Sequence, residues 1–332
     1  MPNIIISESS NRVNALYGNV QTPIASFLTK RAEAFEQNAI YSKIFRKASS
    51  THWAESYGGL TAMDDFELTP ENGEYPTNGF EEGYLKTIYN YTWKSQFAIS
   101  QEMMEDQQIG KITQRPAAFM TAYERTKERF FARLLGAAIQ GKTSLGIKGT
   151  QVSVAAADGK ALFATDHKGK VSGATICNAY SDAFSEGALG KLMTKMQNVE
   201  GDNGEILGMT PDTIIIPNQA ELKKAVFAAI GSYQVPGSSN NDFNYQFGNW
   251  NVIIWPYLNN FLGSETAPWI IMDSGFNQQC DGAICQERTP LTVRSDLADN
   301  DANVWKGRAR FGGGFADFRV MFAGGISTGS SL

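Results

Sequence analysis

PAAFMTAYERTKERFFARLLGAAIQG, Pro116 to Gly141, carries apolar side chains at helical spacing. Phe119, Met120, Tyr123, Phe130, Phe131, Leu134, Leu135 and Ala138 fall on one stripe, and Arg125, Glu128, Arg129 and Arg133 occupy the other faces. Pro116 suits a first helical position and Gly141 a stop. Such a helix would run roughly 35 to 40 Å. That is long for a globular core and suits a structural spine.

The segment before this helix changes character twice. Between Ala48 and Leu85 stand Glu55, Asp64, Asp65, Glu67, Glu71, Glu74, Glu81 and Glu82, with no Lys or Arg. The net charge of the whole chain is −5, so this acidic block leaves the remainder net basic. Gly58-Gly59, Asn72-Gly73 and Asn78-Gly79 punctuate the block, and Asn-Gly pairs favour hairpin turns. From Leu85, Thr87, Tyr89, Tyr91, Trp93 and Ser95 alternate as in an aromatic-rich strand running to Ser100. Residues 50–95 therefore read as a protruding, acidic two-stranded loop. An isolated hairpin is marginal in water, so this one calls for support from another chain. The bases Lys111, Arg115, Arg125, Lys127, Arg129 and Arg133 form a candidate complementary face.

Further toward the N-terminus, residues 1–22 read as an extended arm. Thr22 and Pro23 open a helix that ends between Asn38 and Lys43. Past the spine, Ser185 caps a helix through Leu189, Leu192 and Met196, and Asn218 with Glu221 forms a capping box for another. Thr213 to Ile216, Val252 to Trp255 and Trp269 to Met272 are buried strands. Ser232 to Asn249 is a loop. Leu291 to Arg294, Val304 to Phe311 and Phe315 to Phe322 close the chain as strands, with Gly312-Gly313-Gly314 as a turn between the last two. No regular βαβ repeat appears, which predicts an α+β fold.

The chemistry-bearing residues are few. Two histidines and three cysteines, Cys177, Cys280 and Cys285, match no metal or disulfide module. Asp166-His167 is the one acid–histidine neighbour pair. It lacks a nucleophile elbow and reads as a loop histidine bonded to backbone. Phosphate loops and dinucleotide fingerprints are absent. No cofactor is expected. Apolar runs are too short to span a bilayer and the start is not a signal peptide, so a soluble protein made in a cytoplasm is expected, without membrane contact.

The order of these elements resembles the major capsid protein of tailed bacteriophages, the HK97 fold. Ser95 to Gly110 (SQFAISQEMMEDQQIG) is similar to the passage into the spine helix of the Mu-like head subunit. Leu162 to His167 (LFATDH) and Ala309 to Phe315 (ARFGGGF) resemble two further signatures of that branch. The resemblance implies an N-terminal arm over 1–49 and an extended E-loop over 50–95. It also implies a peripheral (P) domain from 96–180 with 291–332 and an axial (A) domain over 181–290. Copies would meet in hexamers and pentamers around double-stranded DNA in a virion assembled in the host cytoplasm. A separate scaffold protein, a portal and a decoration protein are the further partners implied.

The resulting expectation is a non-enzymatic shell protein. Asp64, Asp65, Glu67, Glu71 and Glu74 would dock on Arg125, Arg129 and Arg133 of a neighbour. Aromatic burial around Tyr84, Tyr89, Tyr91 and Trp93 would supply most of the affinity. An encapsulin-like compartment shell is the alternative of the same fold, and a cytoplasmic hydrolase using Asp166 and His167 is an alternative from another class.

Overall fold

Three strands that bury every residue, Thr213–Pro217, Trp269–Met272 and Met321–Gly324, need cover on both faces and find it in a sheet inside the molecule. The computed structural model describes residues 28, 30–60, 68–75, 82–105, 109–233, 243–298 and 302–332. In chain order the elements begin with α1 (residues 30–38), α2 (Tyr41–Ile44), β1 (Arg46–Ser49), β2 (Ala54–Leu60), β3 (Glu82–Tyr89), β4 (Tyr91–Ile99), α3 (Gln101–Glu105) and the spine α4 (Ile109–Ile139). The short pairs β5 (Ser144–Ile147) with β6 (Thr150–Ser153), and β7 (His167–Lys168) with β8 (Thr175–Ile176), come next. The chain continues through α5 (Glu186–Gln197), β9 (Thr213–Pro217), α6 (Ala220–Ile230), β10 (Asn251–Trp255), a 3-10 turn Pro256–Phe261 and β11 (Trp269–Met272). It closes with α7 (Ser274–Gln279), β12 (Ala283–Leu297), β13 (Asn303–Phe315) and β14 (Met321–Gly324).

Two four-stranded sheets organise the molecule. The body sheet has the order β1-β12-β13-β4 and the inner sheet β10-β9-β11-β14. Mixed pairing within each makes the fold α+β, and β9–α6–β10 is the one parallel crossover of the inner sheet. The spine α4 lies on the body sheet, where Phe130 and Phe131 meet Phe311 at 5.8 and 6.4 Å between ring centres. Its last turns, Leu135, Ala138 and Ile139, join the core of the inner sheet, so one apolar core spans both. Each buried Phe or Leu contributes about 1.5 to 3 kcal/mol. A smaller cluster of Leu28, Ile99, Phe119, Met120 and Trp305 seals the other end of the spine.

Several expectations need correction. The spine begins at Ile109, so Pro116 sits inside the helix rather than at its start. Gly312, Gly313 and Gly314 are not a turn. They lie within β13, because a Cβ at Gly312 would strike the Tyr89 carbonyl and one at Gly313 would meet the Phe131 ring at 2.5 Å. The last strand is Met321–Gly324 and pairs with β11 in the inner sheet, not with β13. The helix expected to open at Asn218 is capped at Gln219 without a side-chain bond, and Asn218 Oδ1 accepts from Lys223 Nζ at 2.9 Å. The Ser185 cap is present, its hydroxyl accepting from the Ala188 amide at 3.1 Å. Thr22 and Pro23 lie outside the described residues, as does half of the loop expected over 232–249. The expected strand from Leu85 to Ser100 is two strands, broken at buried Asn90. The divisions drawn at 95 and 290 fall inside β4 and β12, since both strands run on as members of the body sheet.

The two-stranded hairpin β2–β3 exists, and its base rests on its own molecule. Lys86 Nζ donates to Ser153 Oγ at 2.7 Å and to the Ala155 carbonyl at 2.6 Å. The Tyr57 hydroxyl donates to Gln286 Oε1 at 3.1 Å, and Lys170 Nζ donates to the Gly83 carbonyl at 2.8 Å. Residues 68–75, between the two strands in sequence, are all exposed.

Candidate assembly surface

Period-2 alternation turns Trp93 and Phe97 of β4 toward the spine and Lys94 and Gln96 away from it. Trp93 stacks on Phe311 at 5.0 Å, meets Phe130 edge-on at 5.3 Å, and donates its indole N–H to the Phe311 carbonyl at 3.3 Å. Phe97 stacks on Trp305 and meets Phe119 at a tilt, both at 5.2 Å. The spine stands across from them. Its inner face supplies Phe119, Tyr123 and Phe130, and its rim supplies Arg125, Arg129 and Arg133. Arg125 and Arg129 are exposed. Arg133 is half-buried, its guanidinium 5.7 Å over Phe261 and donating to the Gly146 carbonyl at 3.3 Å. Between β4, β13 and the spine lies a groove of about 460 Å³ with an aromatic floor and a basic rim.

This groove brings together Trp93, Arg125, Arg129 and Arg133. Tyr91 faces Phe130 at 6.5 Å and is half-buried in its own subunit. Trp93 likewise spends much of its surface inside its own molecule. Tyr89 stands outside the groove against Trp53 at 4.9 Å. Glu71 and Glu74 are exposed beyond the hairpin strands, and Asp64, Asp65 and Glu67 lie outside the described residues. Two residues that the sequence reading passed over flank Glu71 and Glu74: Leu68 and Tyr75, 102% and 97% exposed.

Lys127 and Glu128, counted among the surface charges, are buried instead. Their helical phase points them inward with Phe130 and Phe131. Lys127 Nζ lies 2.5 Å from Glu36 and 3.0 Å from Glu287. Burial opposes its ammonium, yet the surrounding groups, Glu287 and Glu36 among them, hold its pKa above that of an ordinary lysine. Glu128 accepts from the Ile40 amide at 2.6 Å and from the Trp255 indole at 2.9 Å, tying the spine to α2 and β10. Burial raises its pKa despite these donors. No hydropathy pattern distinguishes these two from Arg125 and Arg129; only the phase of the stripe could have found them.

The acid–histidine pair of the hydrolase alternative is not assembled. Asp166 pairs with Lys160 at 2.6 Å on the surface. His167 is buried, its Nδ1 2.6 Å from Asp158 and its Nε2 3.2 Å from the Leu162 carbonyl, with its ring stacked on Phe318 at 3.9 Å. Burial disfavours the Asp158 carboxylate, but the bond to His167 holds its pKa below the usual range. Among the described residues no His, Cys, Asp or Glu cluster could hold a metal, and no helix is long and apolar enough to cross a membrane. All three cysteines are free.

Residues 86–323, which contain the groove, the spine and most of both sheets, match the family model described as phage capsid protein. The chain belongs to this family. The capsid protein shares its fold with the capsid of Ralstonia phage GP4, at TM-score 0.50 and 12% identity over 85% of this chain and 86% of that one. It is also similar to a chain of Mycobacterium phage Patience, at TM-score 0.49 and 13% identity over 99% and 92%. The capsid of the cyanophage P-SCSP1u follows at TM-score 0.49 and 8% identity over 86% of each chain. No curated protein matches. The fold is the HK97-like α+β fold, and the chain is a shell-building capsid protein of the virion, with a structural role.

Proposed function

We propose that each copy of this capsid protein clasps the next by laying the acidic tip of its hairpin in the neighbour's groove beside the spine. The observation that carries this is the complementarity of two surfaces of the subunit. One is an exposed tip bearing Glu71, Glu74, Leu68 and Tyr75. The other is a groove with Arg125, Arg129 and Arg133 above Trp93. Exposed ion pairs are worth about 0 to 1 kcal/mol each, so they would set register, with Asp64, Asp65 and Glu67 adding to the attraction. Burial of Leu68 and Tyr75 would supply the affinity. A contact between two different patches closes into rings or shells rather than dimers.

In this reading the hairpin is the E-loop, the body sheet with the spine the P domain, and the inner sheet the A domain, with copies arranged in hexamers and pentamers. Double-stranded DNA, a scaffold protein, a portal and a decoration protein are the proposed partners, assembly takes place in the host cytoplasm, and the chain performs no catalysis. The wording of Ser95 to Gly110 favours the Mu-like branch.

The double substitution Arg125→Glu/Arg129→Glu tests the clasp. Circular dichroism should show a folded subunit, and negative-stain microscopy should show no shells. Adding Glu71→Arg/Glu74→Arg should restore them. Normal particles from the first variant would remove the groove from the assembly mechanism.

A further inference from the structure

The face of the body sheet turned away from the spine carries a charge pattern that folding does not account for. Directly opposed residues of antiparallel strands share a face. The pairings Thr92–Arg310–Thr289, Lys94–Arg308–Thr292 and Gln96–Lys306–Arg294 are therefore three rungs across β4, β13 and β12. Lys94 stands opposite Arg308, and Lys306 opposite Arg294, like charge against like, which weakens a sheet. Among the described residues, Asp296 alone pairs with any of these bases, 2.6 Å from Lys306. The Arg310 Nε is shielded from water and finds no acceptor among them. Over this face lies a depression of about 720 Å³, its lining made up chiefly of Lys94, Arg294, Lys306 and Arg308 with polar Gln96 and Thr292, and with Asp296 as its one carboxylate.

We propose that this face binds the phosphate backbone of double-stranded nucleic acid without reading its sequence. The inference rests on the reading of the chain as a shell around a nucleic acid and names the surface that meets it. Charge complementarity is the argument. Duplex DNA carries one negative charge per roughly 1.7 Å of axis. Bases two apart on a strand stand about 7 Å from each other, and adjacent strands are about 5 Å apart, so several phosphates can be met at once. Arg and Lys with hydroxyl and amide side chains are the set that contacts phosphate. The groove on the other side of the sheet has an aromatic floor and suits a protein loop, whereas no aromatic side chain lines this face.

The test uses the full chain and the variant Arg294→Gln/Lys306→Gln/Arg308→Gln. Anisotropy of a labelled short duplex of arbitrary sequence is followed over a salt series. The slope of log affinity against log salt should fall by about three in the variant, one per base removed. Its unfolding midpoint should be no lower than that of the wild type, since like charges have been removed. Shells should still form, with less nucleic acid inside. An unchanged slope overturns the proposal. So does a slope lost equally in Arg125→Gln/Arg129→Gln/Arg133→Gln, and so does a triple variant that is folded but makes no shells, which would assign the face to a second copy. Duplex binding through these residues by a wild-type chain whose particles never hold nucleic acid would instead refute the packaging reading and leave the surface standing.

Discussion

Lys86 carries its ammonium group into the seam between hairpin and body, where a hydroxyl and a carbonyl receive it and no carboxylate does. Burial pulls its pKa from 10.5 to about 8, opposed in part by Asp158. The unfolded chain therefore binds more protons than the folded one between those values, and stability rises with pH across that window. Lys86→Met should abolish that share of the rise. Urea unfolding of wild type and variant across the window should give a smaller pH gain for the variant, and equal gains would show that the ammonium is not desolvated. Lys127 is the opposite case, a fully buried cation held by Glu36 and Glu287. Burial works against the Glu36 carboxylate, but Lys127 keeps its pKa below 4.5, so this contribution is present at neutral pH and lost as pH falls through the lowered value. Lys127→Ala leaves two partly exposed carboxylates without their cation and should cost about 1 to 3 kcal/mol in urea unfolding. Adding Glu36→Gln and Glu287→Gln should recover part of that loss. In the sequence only the helical phase of Lys127, in line with Tyr123 and Phe130, sets it apart from Arg125, and its partners Glu36 and Glu287 are not legible there.

The spine shows how far spacing carries an element and where packing takes over. Its apolar stripe was readable from Phe119 to Ala138, because residues three and four apart share a helical face whatever lies opposite. Its start was misplaced because Pro116 looks like a first-turn residue, yet the helix runs seven residues further back. Gly136 carries a sharper prediction. In an exposed helix, Gly→Ala is worth about 1 kcal/mol of stability. Here a Cβ would meet the Phe261 Cβ and carbonyl oxygen, both at 2.6 Å, and a backbone atom cannot step aside. Gly136→Ala should therefore lower stability by about 1 to 3 kcal/mol, and a thermal melt with a raised midpoint would show that the spine and the 3-10 turn are not in contact. The Gly312 to Gly314 run misled for the same reason. A glycine needed for close approach looks in sequence like a glycine needed for a turn.

Across the molecule, charge is segregated so that the hairpin tip is acidic while the groove and the outer sheet face are basic. If the tip and groove guide association, shell formation followed by light scattering should slow as ionic strength rises, since charges further apart than about 8 Å are screened at physiological salt. A rate that does not change with salt would leave the apolar contacts of Leu68 and Tyr75 as the sole guide. Composition, the spine stripe and the lack of a regular βαβ repeat were enough for the α+β class, because each depends on residues close together in the chain, whereas the capsid fold came from the resemblance of element order and of short stretches such as Ser95 to Gly110 to a known family. The partners of the strands were not legible. β1 joins β12 across more than 200 residues of chain, β4 joins β13 across a similar gap, and β14 leaves its sequence neighbour for β11. Pairing at that distance depends on which surfaces can be buried together once the chain collapses. The same collapse decided that Lys127 and Glu128 go inside, that Arg125 and Arg129 stay out, and that five bases from three strands stand on one face.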